Sequence, residues 1–94
     1  MKVKVKSFAN IKEVLGSGEI ELNLKEGSTI GDLLEELIQR YGEPFERQVI
    51  DKAKKTFVPF LLLVNGKTYR SLTDRDKLLS DGQTVTILIP FDGG

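Results

Sequence analysis

The stretch S-T-I-G-D-L-L-E-E-L-I-Q-R-Y-G, residues 28–42, limits the fold more than any other part of the chain. Ile30, Leu33, Leu34, Leu37, Ile38 and Tyr41 recur at the three- and four-residue spacing that lines one face of an α-helix. Glu35, Glu36, Gln39 and Arg40 fall outside that stripe. Ser28 or Thr29 can cap the start, Asp32 lies near the positive end of the helix dipole, and Gly42 ends the run. A helix with a single apolar stripe must lay it on another element, and the flanking sequence supplies strands. K-V-K-V-K-S-F alternates, with Val3 and Val5 on one side and Lys2, Lys4 and Lys6 on the other. E-I-E-L-N-L alternates again, with Ile20, Leu22 and Leu24 inward and Glu19, Glu21 and Asn23 outward.

Between these two strands, F-A-N-I-K-E-V-L-G predicts a short helix with Ala9, Ile11, Val14 and Leu15 on one face, stopped by Gly16. A tight turn at Gly16-Ser17-Gly18 then makes the two strands an antiparallel pair. Their outward lysines and glutamates face each other, a pairing worth roughly 0.2–1 kcal/mol per pair. After the long helix, Pro44 can open a second, shorter one, with Phe45, Val49, Ile50 and Ala53 facing in and Lys52, Lys54 and Lys55 near its negative end. F-L-L-L-V reads as a strand buried on both faces or close to it. Asn65-Gly66 is a hairpin turn, returning through Lys67-Thr68-Tyr69. Leu72, Leu78 and Leu79 are expected to pin the following connection. T-V-T-I-L-I is the last strand, with Val85, Ile87 and Ile89 on one face, and Pro90 ends its ladder. The result is a two-layer α+β domain.

Composition bounds the chemistry. Ninety-four residues make one domain. Lysine plus arginine equals aspartate plus glutamate, 14 each, so charge gives no reason to expect nucleic-acid binding. Cysteine and histidine are both absent, which removes thiol nucleophiles, zinc-thiolate sites and the usual neutral-pH general base. No apolar run is long enough to span a membrane, and Met1 leads directly into a strand pattern, so a cytoplasmic protein with no membrane association is expected. Glu35 and Glu36 are adjacent on a helix and point about 100° apart, so they read as a solvated face. Asp74-x-Asp76 lacks the glycine and third acid of a calcium loop. No constellation here catalyses a reaction alone, and no catalytic or metal-ligating residue is assigned.

The end of the chain, I-L-I-P-F-D-G-G, asks for a different explanation. Two glycines add nothing to a core and are costly to order. The order strand, strand, long helix, strand, short strand, strand and diglycine resembles the ubiquitin-like β-grasp layout: about five strands in a mixed sheet, covered on one face by one long and one shorter helix. More specifically, the chain resembles the small subunit of molybdopterin synthase, a sulfur carrier of the MoaD/ThiS group. F-A-N-I-K-E-V-L-G, S-T-I-G-D-L-L-E-E-L, L-V-N-G-K and L-S-D-G-Q-T-V-T-I-L-I-P-F-D-G-G carry the resemblance. Residues 43–59, which include the second helix, favour the molybdopterin branch over the shorter thiamin carriers. Ile89 stands where the family has a first proline, and acidic Asp92 where it has a small residue.

The resemblance implies residues 1–90 as the β-grasp domain and 91–94 as a flexible diglycine tail. It implies that a ubiquitin-activating-type adenylyltransferase uses ATP to adenylate the carboxylate of Gly94. Sulfur then replaces the adenylate, and the thiocarboxylate serves a large synthase subunit in molybdenum or tungsten cofactor synthesis. No cofactor is bound by the carrier itself, and catalysis belongs to the partners. Pro90, Phe91, Asp92 and Gly93 would thread into a partner's active site. A ubiquitin-like modifier joined to lysines through Gly94 uses the same activation. Thiamin or tRNA thiolation, or a plain interaction domain, are further alternatives. Strand parity places Phe8 and Leu88 on the uncovered sheet face, and with Tyr69 and Phe91 they are the expected partner interface.

Overall fold

The computed structural model describes residues 1–89. Within them, β1 (Lys2–Lys6) is followed by α1 (Ala9–Leu15) and β2 (Glu19–Asn23). Then come α2 (Ile30–Tyr41) and α3 (Glu43–Val49). The two-residue strands β3 (Ile50–Asp51) and β4 (Thr56–Phe57) precede β5 (Leu61–Val64), β6 (Lys67–Arg70) and β7 (Thr84–Leu88). Five strands form one sheet in the order β2-β1-β7-β5-β6, with β1 and β7 parallel and the other pairs antiparallel. The alternating runs and the single long helix predict the α+β class, and the β-grasp resemblance implies the mixed five-stranded sheet.

Pleating decides the core. Val3, Val5, Leu22, Leu62, Val64, Val85 and Ile87 all face the helices and are buried. They meet Ile30, Leu33, Leu34 and Leu37 of α2, each essentially inaccessible. Burial of such side chains contributes roughly 1.5–3 kcal/mol apiece, and this one layer holds the fold together. Phe45 and Val49 of α3 complete it. The lysine and glutamate columns fall in register, Lys4 opposite Glu21 and Lys6 opposite Glu19.

Several local expectations change. Thr29, not Ser28, caps α2: its hydroxyl accepts the Asp32 N–H at 3.1 Å, and the Asp32 carboxylate accepts the Thr29 N–H at 2.9 Å. Ser28 instead bonds Leu79 through its backbone carbonyl. The lysine run after α3 does not cap that helix. Residues 52–55 turn between β3 and β4, and Asp51 Oδ1 accepts the Ala53 and Lys54 N–H groups at 3.0 and 3.2 Å. Ala53 is therefore exposed rather than inward. β5 is buried on one face only, because no helix covers the other: Leu61 is 39% exposed.

The connection from β6 to β7 is pinned by Leu79 and Ser71, not by Leu72 and Leu78, which are 42% and 70% exposed. The fully buried Ser71 hydroxyl donates to the Val58 carbonyl at 2.8 Å and accepts the Phe60 N–H at 2.9 Å. Further along, the Arg75 and Lys77 carbonyls accept from Gly31 and Ile30 at the start of α2. A side chain at Gly31 would place Cβ 3.2 Å from the Arg75 oxygen, which explains a glycine inside the first turn of an otherwise strong helix.

Candidate functional site

The uncovered face of the sheet has two unlike ends. At one end lie Lys2, Lys4, Glu21, Asn23 and Thr84, all polar. At the other end β7 delivers the chain to residue 89. The parallel register Lys4–Thr84, Val5–Val85 and Lys6–Thr86, continued two residues, sets Phe8 level with Leu88. On the far side Leu88 pairs with Leu61, and Leu61 with Arg70. Phe8, Leu88, Leu61 and Arg70 thus form a row across the sheet, immediately beside the point where the chain runs on toward Gly94. Phe8 is 59% exposed, far more than its volume would predict for a packing residue.

At the Phe8–Leu88 end of this row lies a groove of about 620 Å³, whose apolar lining includes Phe8, Ile11, Val58, Ile87, Leu88 and Ile89. Three elements shape it. Phe8 precedes α1, Ile87 and Ile89 come from β7 and its end, and Val58-Pro59 is held in place by Ser71. The lining is mostly apolar, with Asn10 and Gln48 as its polar side chains, so it suits apolar side chains and offers no acid, base or nucleophile. A shallower depression at the start of α2 contains Thr29, Gly31, Asp32, Glu35, Phe57, Arg75 and Asp76. Asp32 is already engaged in the cap there, and the Arg75 guanidinium sits 5.6 Å from the Phe57 ring centroid. Among the described residues, no three acidic groups approach closely enough to hold a metal ion, and no helix is long and apolar enough to cross a membrane.

Phe8 and Leu88 therefore come together, because both are in the outward phase and β1 and β7 are neighbours. Tyr69 does not join them. It pairs with Leu62, whose side chain is in the core, so its ring packs on the helix-covered face with the Lys67 ammonium 5.4 Å from its centroid. The two-residue Asn65-Gly66 turn settles this: it forces Val64 opposite Lys67, and counting back puts Tyr69 in the inward phase. The same count would have revealed Leu61 and Arg70 as members of the row. Pro90, Phe91, Asp92, Gly93 and Gly94 lie outside the described residues.

The model of the ThiS family matches residues 5–94, reaching the terminal glycine. This chain belongs to the ThiS family. Among its relatives, small archaeal modifier protein 3 of Haloferax volcanii is 30% identical over 94 residues, the whole of both chains. The structure of SAMP1 from Haloferax volcanii superposes with a TM-score of 0.81 at 22% identity, over all of both chains. A putative molybdopterin converting factor subunit 1 from Pyrococcus furiosus gives a TM-score of 0.74 at 29% identity, over 97% of this chain and 99% of that one. The fold is the ubiquitin-like β-grasp, and ThiS-type proteins of this kind are small carriers and modifiers.

Proposed function

We propose that this ThiS-family chain is a sulfur carrier, activated at the Gly94 carboxylate and discharged through a Gly94 thiocarboxylate in molybdenum or tungsten cofactor synthesis. The observation that carries the reading is the extent of the family match, which runs to Gly94 itself. A carboxylate is a poor acyl donor, because its charge is delocalised and its leaving group would be an oxide. Joined to AMP as a mixed anhydride it becomes a good one, and sulfide can displace the AMP. The chain has no cysteine or histidine, and in this reading ATP and catalysis come from an adenylyltransferase of the ubiquitin-activating type. A large synthase-like subunit is the partner that takes the sulfur.

The described surface fits that division of labour. The row Phe8, Leu88 and Leu61 is an apolar patch at the root of the tail, where a partner must grip the domain while it accepts the chain end. Arg70 at the row's edge offers a charged contact. Gly93 and Gly94, with no side chains, would pass a narrow channel, and Pro90 would lower the entropy lost on insertion.

A second reading has a specific observation behind it: the relative matched over its full length is a small archaeal modifier protein. In that reading the same Gly94 adenylate passes its acyl group to lysines of other proteins. Intact mass of the chain isolated from its own cells, with and without a thiol-alkylating reagent, separates the two. An alkylatable exchange of one oxygen for sulfur on Gly94 supports the carrier. Gly-Gly remnants on other proteins, with an unmodified Gly94 pool, would replace it with the modifier. If both are absent, the activation of Gly94 itself is wrong.

A further inference from the structure

Asn65 and Gly66 form the turn between β5 and β6, and both are left-handed, with φ of 48° and 87°. Two successive positive φ angles mark a type I′ turn. Asn65 does more than reverse the chain. Its N–H donates to the Thr84 carbonyl at 3.0 Å, and its Oδ1 accepts the Thr84 N–H at 2.8 Å. Backbone and side chain together tie the hairpin to the first residue of β7.

An asparagine followed by glycine is chemically labile, because nothing shields the glycine nitrogen. The Gly66 nitrogen can attack Asn65 Cγ. An N–Cγ bond forms, the Cγ–Nδ2 bond breaks, and Nδ2 leaves as ammonia with the Gly66 amide proton. Water then opens the resulting succinimide at either carbonyl. One opening gives aspartate; the other gives isoaspartate, in which the main chain runs through the former side chain. Water is the only co-reactant, and no electrons are transferred.

We propose that Asn65-Gly66 is a latent succinimide site which the folded hairpin holds shut, and which converts only when the hairpin detaches from Thr84. A five-membered ring needs Asn65 Cβ and the Gly66 nitrogen nearly eclipsed about the Cα–C bond. A type I′ turn sets ψ of its first central residue at about +30°, which leaves those two atoms nearly opposite. Reaching the reactive rotation breaks the turn, and the Oδ1 bond to Thr84 resists it further. The turn is exposed, so water is not limiting; conformation is.

The mark is one-way and has a structural consequence. Isoaspartate inserts an extra main-chain carbon into a two-residue turn. That disturbs the Val64–Lys67 pairing on the strand that carries Leu61, and so reaches the exposed row. Conversion at residue 65 would record past openings of the β5–β6 hairpin and retire the chain that suffered them.

The test uses the full chain incubated at mildly alkaline pH, once in buffer and once in denaturant at the same pH and temperature. Peptide mapping and isoaspartyl methyltransferase labelling follow conversion at residue 65. Conversion in buffer is expected to be at least about tenfold slower than in denaturant, the protection given by a local opening equilibrium. Tyr69→Ala, which strips the packed ring from β6, should raise the rate in buffer severalfold and leave the rate in denaturant unchanged. Equal wild-type rates in buffer and denaturant would overturn the proposal without recourse to any variant. So would a Tyr69→Ala chain, shown to be folded, whose rate in buffer matches wild type.

Discussion

Two helices start in opposite ways in this small fold. α2 begins with a complete capping box, Thr29 and Asp32 exchanging side-chain and backbone hydrogen bonds. Its first turn is also stitched to the β6–β7 connection, through Ile30 to Lys77 and Gly31 to Arg75. α1 begins at Phe8 with no side-chain cap. Its first residue, Ala9, takes a φ of 51°, a left-handed conformation that costs a non-glycine residue roughly 1–2 kcal/mol. Phe8, half out of the fold, sits at this loosely made joint. The firmly fastened start supports the core, and the poorly fastened one borders the groove and the exposed row. Fewer hydrogen bonds hold the start of α1 than the start of α2, so α1 is expected to open first, beside the proposed docking surface.

The largest test of that contrast removes what the fastened helix buries. Leu34→Ala leaves a cavity among side chains with no exposed surface, and a loss of about 2–5 kcal/mol is expected, measured by denaturant unfolding. A smaller step breaks only the fastening. Thr29→Ala deletes the hydroxyl that receives the Asp32 N–H and should cost about 1 kcal/mol. Amide exchange should rise first in Ile30–Leu33 and remain unchanged in α1. A Thr29→Ala chain as stable as wild type would show that the backbone bonds to Arg75 and Lys77 suffice, and the contrast would then rest on them alone.

The fastened end was also the legible one. Helix periodicity spans twelve residues in α2, and five-residue strands show alternation clearly enough to fix which face is buried. Signals fail where elements are too short to show a period. β3 and β4 have two residues each and sit around a lysine run that reads equally well as a helix end. The buried Ser71 is invisible for a different reason: its importance lies in two hydrogen bonds to a segment eleven and thirteen residues away. Of the expected interface, the outward phase of Phe8 and Leu88 follows from strand parity, and their meeting follows from the first-to-last strand adjacency that the β-grasp resemblance implies. Tyr69 fails because parity must be carried across the Asn65-Gly66 turn, and one residue of slip there exchanges the faces.

Two substitutions sharpen the comparison from the loose side. Ala9→Gly should relieve the left-handed strain and stabilise the chain by about 0.5–1 kcal/mol, after the greater freedom of glycine in the unfolded state is set against it. The midpoint of thermal unfolding reads this directly. A drop in stability would show that the methyl group packs at the α1 joint, and that the joint is better made than its missing cap suggests.

Phe8→Lys should have the smallest effect on folding and the most specific effect on function. At 59% exposure the ring buries little, so the change in unfolding free energy should stay within about 0.5 kcal/mol. If the row is the grip for an adenylating enzyme, removing the ring and adding a charge beside Leu88 should weaken capture by that enzyme at least about tenfold. The two readouts must separate. A variant that binds as wild type would move the docking surface off the exposed row. One that unfolds would make Phe8 a structural member of the α1 joint, and the loosely fastened end would then be held by the very residue assigned to the partner. Only loss of binding with folding intact keeps both halves of the contrast: a core secured through α2, and a surface at α1 left free because another protein completes it.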